Sequence, residues 1–326
     1  MKKDKNIKRK KEEGSGLLEA MLAIAVFAIG IGAVANLYIG SYISSLHSMQ
    51  KIQKKYTFKK NKKDINNVLE KEIKKSNFKV VFTGGEPTIQ KNLSDYVKYA
   101  KHLGYKRIVI QSNGRMFSYK DYCKNLISAG ANNFFISIHG HNAKTHDYLT
   151  NVPGSFNQTL KGIKNLKELN QNIVTQTVIT KINYKHLPKI AKMLNDLDVN
   201  TFQFAFIHIN PIIQNNPKLI EEIVPRYHLI APYVKKAIEV NKEKARTEAI
   251  PFCFLAGYEN NISEPNIPQT VIYDGNNITK DFTKVRKEMG KMKSEKCKKC
   301  KYYHYCEGPW KDYPEIFGWD EFIPVK

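Results

Sequence analysis

Short apolar runs that alternate with amphipathic segments constrain the fold of this chain more than any other feature. Five runs rich in β-branched and aromatic residues occupy 78–82, 107–111, 134–140, 173–180 and 202–210. Between them lie amphipathic stretches of helical length at 94–104, 119–130, 156–170 and 187–198. This alternation predicts right-handed crossovers and a parallel sheet, either doubly wound or barrel-like. Ligands of such sheets bind beyond the carboxyl ends of the strands.

The first apolar run ends in a loop that combines two glycines with an acidic residue and a proline. A Gly-Gly pair alone indicates a tight turn, but Glu86 next to exposed backbone suits the ammonium group of a ligand. The stretch VFTGGEPTI strongly resembles the glycine-rich motif of the radical S-adenosylmethionine (SAM) superfamily. QSNG at 111–114, FFISIHG at 134–140, GSF at 154–156 and TVITKIN at 177–183 agree with that family in order and spacing.

The resemblance extends from about residue 56 to the C-terminus and implies a SAM site. It implies that Gly84, Gly85, Glu86 and Pro87 hold the methionine amino group of SAM. It also implies that Ser137 and Asn183 lie near the ribose and the carboxylate. Enzymes of this family modify peptides or small metabolites after they have cleaved SAM reductively with a [4Fe–4S] cluster.

The cysteines that hold this catalytic cluster are missing. In the family they form a Cys-x3-Cys-x2-Cys loop some tens of residues before the glycine-rich motif, whereas this chain has no cysteine before Cys123. Residues 44–77 also contain no apolar β-branched run, and 64–75 has the periodicity of an amphipathic helix. We therefore expect a partial TIM-type barrel without its first strand, five strands with a newly exposed edge, and the loss of reductive SAM cleavage.

Four cysteines indicate a second site near the C-terminus. Cys297, Cys300 and Cys306 follow a Cys-x2-Cys-x5-Cys spacing, in which a short turn lets two thiolates bind one metal. From the residues alone, zinc and an iron–sulfur cluster both remain open. The spacing resembles the SPASM or twitch extension of radical SAM enzymes, which implies an auxiliary [4Fe–4S] cluster with Cys253 as the fourth ligand. Cys123 lies on a predicted helix, where a buried hydrophobic role is expected.

The N-terminus contains a long apolar segment. Residues 17–43 carry one charge, Glu19, and a helix of this length crosses a membrane. With the basic stretch before it, the segment resembles a type IV prepilin-like N-terminus over about residues 8–48. The resemblance implies cleavage by a prepilin peptidase after Gly14, a mature N-terminus at Ser15, where the family usually has Phe, and an assembly role for Glu19.

The charge of the chain says little about its partners. The net charge is +23, from 53 Lys and Arg against 30 Asp and Glu, but only six of these cations are Arg. Specific phosphate and base recognition favours Arg, so a nucleic-acid partner is not expected. Residues 1–16 and 44–63 each carry seven Lys or Arg, which leaves the orientation of a single-pass membrane protein undetermined. The parent catalytic domain is expected in the cytoplasm.

Together these features predict a membrane-anchored, radical-SAM-like α/β protein that is catalytically impaired or chimeric. The competing function is structural, as a minor type IV pilin-like membrane subunit. The predicted domains are a basic leader (1–14), a pilin-like transmembrane helix (15–48), a linker with the first barrel helix (49–77), a truncated barrel (78–212) and a C-terminal cysteine extension (213–326).

Overall fold

A sheet of six parallel strands forms the centre of the molecule, which is a computed structural model describing residues 62–75, 78–209, 211–274 and 277–326. The strands are β1 (Lys79–Phe82), β2 (Arg107–Ser112), β3 (Asn133–Ser137), β4 (Asn172–Ile179), β5 (Thr201–Phe206) and β6 (Ala245–Glu248). Each strand pairs with the next along the chain. A doubly wound sheet reverses its order, whereas a barrel wall does not. The parallel α/β fold is therefore consistent with a partial TIM-type barrel.

Helices connect consecutive strands. Those that precede or link the strands are α1 (Lys62–Ile73), α2 (Leu93–His102), α3 (Lys120–Ala129), α4 (Ala143–Thr150), α5 (Ser155–Glu168), α6 (Leu187–Asp196), α7 (Pro211–Gln214), α8 (Pro217–Ile223) and α9 (Tyr227–Val240). The amphipathic segments at 64–75, 94–104, 119–130, 156–170 and 187–198 match five of these helices to within a few residues. Their apolar periodicity predicted them because each buries one face against the sheet or a neighbouring helix.

The two faces of the sheet differ in polarity. Apolar side chains stand in register on one face, as the row Phe82, Ile110, Phe134 and Ile173 shows. On this face Phe206 stacks on Tyr227 of α9 with ring centroids 4.1 Å apart. Because side chains alternate along a strand, the other face carries a different set. We call it the polar face; near the strand ends it bears Ser137, Gln176, Gln203 and Glu248.

The sixth strand was missed by the sequence analysis, which expected five. Strand β6 has the sequence ARTE and contains no apolar run, yet three of its four residues are buried. It pairs with β5 from Phe202–Ala245 to Ala205–Glu248. The sheet thus continues into the segment 213–326 that was assigned to the C-terminal extension. Within the described ranges β1 pairs only with β2, and Val80 and Val81 are half-buried.

A smaller region follows the sheet. It contains an antiparallel hairpin of β7 (Ile272–Asp274) and β8 (Asn277–Thr279), the short helices α10 (Phe282–Val285) and α11 (Asp312–Phe317), and a π-helical turn at Arg286–Gly290. No helix in the described part of the chain is long and apolar enough to span a membrane. The predicted leader, membrane helix and cleavage site, with Gly14, Ser15 and Glu19, lie outside the described residues and stay predictions.

Candidate ligand loop and cysteine site

The glycine-rich loop leaves the carboxyl end of β1 with open space beside its backbone. Gly84 has φ of +143°, a conformation that favours glycine because it has no Cβ. A Cβ added to Gly85 meets no atom within 4 Å. Pro87 begins a short 3-10 turn, Pro87–Ile89, for which Glu86 is the N-cap residue. The loop therefore presents bare backbone at the edge of the sheet where ligands of parallel α/β folds bind.

The Glu86 carboxylate is engaged by the protein itself. Oε1 accepts hydrogen bonds from Thr88 N at 3.1 Å, Thr88 Oγ1 at 2.6 Å and Ser112 Oγ at 2.8 Å. Oε2 accepts one from Asn113 N at 2.8 Å. The side chain thus ties the loop after β1 to the end of β2.

The other two predicted SAM residues lie further along the same edge of the sheet. Ser137 is buried at the end of β3, in register with Gln176 on the polar face. Asn183 is fully buried; its Nδ2 donates to the carbonyls of His139 at 3.0 Å and Val178 at 2.8 Å. Its Oδ1 accepts from Thr180 N at 2.8 Å. Asn183 thus joins the loops after β3 and β4, whereas Ser137 presents its hydroxyl beside the polar face.

All four predicted ligand cysteines line one cavity. Cys253 comes from the short turn after β6, and Cys297, Cys300 and Cys306 come from the segment before α11. The cavity holds about 390 Å³ of space free of protein atoms, part of it open to solvent. The rest of its wall is Pro251, Lys293, Tyr303, Gly308, Pro309, Phe322, Ile323 and Pro324. Two segments 44 residues apart or more in the sequence therefore bring their thiols to the same place.

Burial and mutual repulsion shape the acidity of these thiols. Burial raises the pKa of Cys253 to about 12, with further increases from Cys306, Cys300 and Cys297. Burial also raises the pKa of Cys306, although Gly308 N donates a hydrogen bond to its sulfur at 3.3 Å. Cys123 stands apart on α3, fully buried, and its thiol donates to the carbonyl of Phe117 at 3.2 Å. The structure thus confirms the buried role predicted for Cys123.

The thiols surround the cavity without meeting at one point. Among the described residues, no three His, Cys, Asp or Glu side chains form a group that could hold a metal ion. A single zinc ion requires thiolates about 3.8 Å apart, because each Zn–S bond is about 2.3 Å and the geometry is tetrahedral. The described cysteines therefore form no ready-made site for a single ion in this structure.

A set of buried charges that sequence analysis missed lies beside the cysteine cavity. Lys291 is buried, with Nζ 3.9 Å from Glu264 and 4.3 Å from the ring centroid of Trp310. Arg286 pairs bidentately with Glu307, at 2.9 Å through Nε and 2.7 Å through Nη2. In the sequence Lys291 is one of many lysines, and only its packing distinguishes it.

Residues 46–194 match the family model of the Radical SAM superfamily. The chain is 26% identical to the AdoMet-dependent heme synthase of Oleidesulfovibrio alaskensis, over 53% of this chain and 48% of that protein. It is 28% identical to the Fe-coproporphyrin III synthase of Methanosarcina barkeri, over 40% of this chain and 31% of that protein. The chain spans about half or less of the length of these relatives.

The fold resembles that of SuiB from Streptococcus suis, in a crystal structure with its precursor peptide SuiA. The TM-score is 0.51 at 15% sequence identity, covering 72% of this chain and 55% of SuiB. At this identity the likeness shows a shared fold.

Proposed function

We propose that the chain binds SAM and an iron–sulfur cluster without cleaving SAM reductively, in keeping with the match of residues 46–194 to the Radical SAM superfamily model. SAM binds at Gly84–Pro87, and the cluster binds at Cys253, Cys297, Cys300 and Cys306. The loss of cleavage follows from the absence of any cysteine before Cys123. The parent activity is radical modification of a peptide or a small metabolite.

The convergence of the four cysteines on one cavity carries the cluster assignment. A [4Fe–4S] cluster is held by four Cys thiolates, and its cube of iron and sulfur occupies the space between them. The four cysteines line the wall of one cavity, and their spacing resembles that of the SPASM or twitch extension, for which a cluster is implied. We therefore favour the cluster over zinc. Iron and sulfide analysis, with the visible absorption of anaerobically reconstituted protein, distinguishes the two.

The free space beside the backbone of Gly85 supports the assignment of this loop to SAM. Because a Cβ there meets no protein atom within 4 Å, the substitution Gly85→Ala is compatible with the fold of the loop. The added methyl group instead projects into the space where a ligand approaches the backbone. Equilibrium dialysis with labelled SAM should show weaker binding by Gly85→Ala and an unchanged melting temperature. Equal SAM binding by the wild-type protein and Gly85→Ala would remove the loop from the SAM site.

The second candidate function is that of a minor type IV pilin-like membrane subunit. The basic leader, Gly14, Glu19 and the apolar run at 17–43 favour it. It predicts a single-pass protein that a prepilin peptidase cleaves after Gly14. Incubation of the membrane-inserted full chain with such a peptidase should then give a new N-terminus at Ser15, and Gly14→Val should abolish the cleavage. An uncleaved wild-type chain would exclude this function.

A further inference from the structure

A short segment that contributes no cysteine completes the wall of the cysteine cavity. Phe322, Ile323 and Pro324 line the cavity together with the four thiols. They belong to residues 319–325, an irregular stretch after α11 that we call the strap. Phe322 is buried, whereas Ile323 is 73% exposed. The strap therefore has one side in the cavity wall and the other in solvent.

Glu321 fastens the middle of the strap to the rest of the molecule. Its side chain is 5% exposed and accepts hydrogen bonds from Arg226 Nε at 2.8 Å and from the backbone N–H of His228 at 2.9 Å. The hydroxyl of Tyr313, on α11, donates to the same carboxylate. Arg226 and His228 stand at the start of α9, whose Tyr227 packs on the sheet. The carboxylate therefore joins the strap to both helices.

Two further hydrogen bonds join the strap to the segment that carries three of the four cysteines. The backbone N–H of Lys301 donates to the carbonyl of Val325 at 2.8 Å. The ammonium of Lys296 donates to the carbonyl of Trp319 at 2.7 Å. The strap is thus attached at both ends to the segment whose thiols it covers, and in its middle through Glu321.

The attachment through Glu321 is the strongest of these, because its acceptor is ionised and largely excluded from water. Hydrogen bonds to an ionised group are roughly twice as strong as those between neutral groups. Lys296 is exposed, so water competes for its bond to the strap. Short surface segments without regular secondary structure open locally at far less cost than global unfolding. Loss of the Glu321 carboxylate should therefore open the strap and leave the sheet folded.

We propose that Glu321 is a positioning residue that holds the strap over the cysteine cavity, and that the strap controls the access of water and small molecules to the four thiols. This role goes beyond the function proposed above, and it depends neither on SAM nor on the identity of a metal. Thiols that bind a metal need a path by which it enters and a wall that then limits solvent. A cover that opens locally provides both.

Alkylation of the thiols in the full chain measures this access. Any bound metal is first removed with a chelator under reducing conditions, so the result is independent of the cluster assignment. Iodoacetamide, a neutral reagent, is added in a time course, and peptide mapping by mass spectrometry gives a separate rate for each cysteine. Cys123 is the internal reference, because it is fully buried on α3 and only global unfolding exposes it.

Asp320 provides a matched control. It precedes Glu321 in the strap and is exposed, so Asp320→Ala removes a neighbouring carboxylate of the same charge and leaves the attachment intact. Arg226→Met removes one donor of the attachment from outside the strap. These two variants separate the loss of the attachment from the loss of a negative charge.

Glu321→Ala should speed the alkylation of the four cavity cysteines by about tenfold, because the loss of a hydrogen bond to a charged group shifts an opening equilibrium by about that factor. Arg226→Met should give a smaller acceleration at the same four thiols. Asp320→Ala should react at the wild-type rates, and Cys123 should react no faster in any of the three variants.

Three results would overturn the proposal. The first is wild-type rates at the four cysteines in Glu321→Ala, and the second is equal acceleration by Asp320→Ala, which would assign the effect to charge. The third is acceleration that includes Cys123 equally in Glu321→Ala and Arg226→Met, which would show loss of the whole fold. If Glu321→Ala fails to fold, Arg226→Met decides: acceleration confined to the four cysteines supports the proposal, and unchanged rates refute it.

Discussion

The hydroxyl of Ser112 donates a hydrogen bond of 2.8 Å to the carboxylate of Glu86, across the gap between two neighbouring strand ends. The same carboxylate accepts from the backbone N–H of Asn113, and Gly114 N in turn donates to Ser112 Oγ at 3.0 Å. Glu86 therefore fixes the glycine-rich loop to the loop after β2. This gives the acidic residue of the motif a structural role in addition to any contact with a ligand.

Removal of this carboxylate should destabilise the fold. Glu86→Ala leaves the donors of Ser112, Thr88 and Asn113 without their acceptor, and the loss of hydrogen bonds to a charged group should cost about 3 kcal/mol. Urea denaturation followed by circular dichroism measures this loss. Glu168→Gln, at the exposed salt bridge with Lys120, is the control and should have little effect. Equal urea midpoints for Glu86→Ala and the wild type would show that the Glu86 carboxylate does not stabilise the fold.

Close packing of α5 against the same loop gives a second prediction. Gly162 lies inside α5, and a Cβ there would stand 2.4 Å from the Gly114 carbonyl oxygen. Helix propensity alone favours alanine by about 1 kcal/mol, but the clash with backbone outweighs it. Gly162→Ala should therefore lower the stability by about 1–3 kcal/mol. A thermal melt in which Gly162→Ala is as stable as the wild type, or more stable, would refute the close contact.

A buried histidine should make the stability depend on pH. His146 accepts a hydrogen bond from His139 N at 3.1 Å through Nδ1, and burial lowers its pKa to about 4 from 6.5. As pH falls, His146 therefore becomes protonated near pH 6.5 in the unfolded chain but only near pH 4 in the folded chain. This group should destabilise the fold as pH falls through that window, by up to about 3 kcal/mol.

Replacement of this histidine isolates its contribution. His146→Gln keeps an acceptor for His139 N but cannot titrate, so its free energy of unfolding should fall less between pH 6.5 and pH 4. The same substitution at exposed His102 serves as the control. Chemical denaturation at a series of pH values provides the measurement. Parallel curves for His146→Gln and the wild type would show that His146 does not contribute.

The cysteine site should depend on four cysteines and not on the fifth. Replacement of Cys253, Cys297, Cys300 or Cys306 by serine should reduce the bound iron and the visible absorption after reconstitution, because each removes one thiolate ligand. Cys123→Ser should retain the full iron content, since this thiol lies on α3 and donates to Phe117. Loss of iron in Cys123→Ser, or full retention in Cys253→Ser, would contradict the assignment.

Much of the sheet was predictable because its strands carry apolar residues. The five predicted strands exist, with ends that differ from the prediction by up to a few residues. Strand β6 could not be predicted because Arg246 and Glu248 interrupt any apolar pattern. The strand is buried through its pairing with β5. The local period of side chains does not encode such tertiary pairing. The membrane segment at 17–43 lies outside the described residues and stays a prediction.

The sites were predictable as residue types but not as contacts. Cys253 was grouped with Cys297, Cys300 and Cys306, and the structure places all four around one cavity. The engagement of Glu86 by Ser112 and the burial of Lys291 depend on segments distant in sequence, so neither could be predicted. Among the lysines of the described residues, Lys291 alone is buried, and its position in the sequence does not distinguish it.

Reductive cleavage of SAM provides the most direct test of the central claim. The measurement is the 5′-deoxyadenosine formed when the anaerobically reconstituted full chain is reduced with dithionite in the presence of SAM. The account predicts bound SAM and bound iron with no 5′-deoxyadenosine above that of a protein-free control. Release of 5′-deoxyadenosine in proportion to protein would contradict it, because a chain without cysteines before Cys123 would then perform the cleavage.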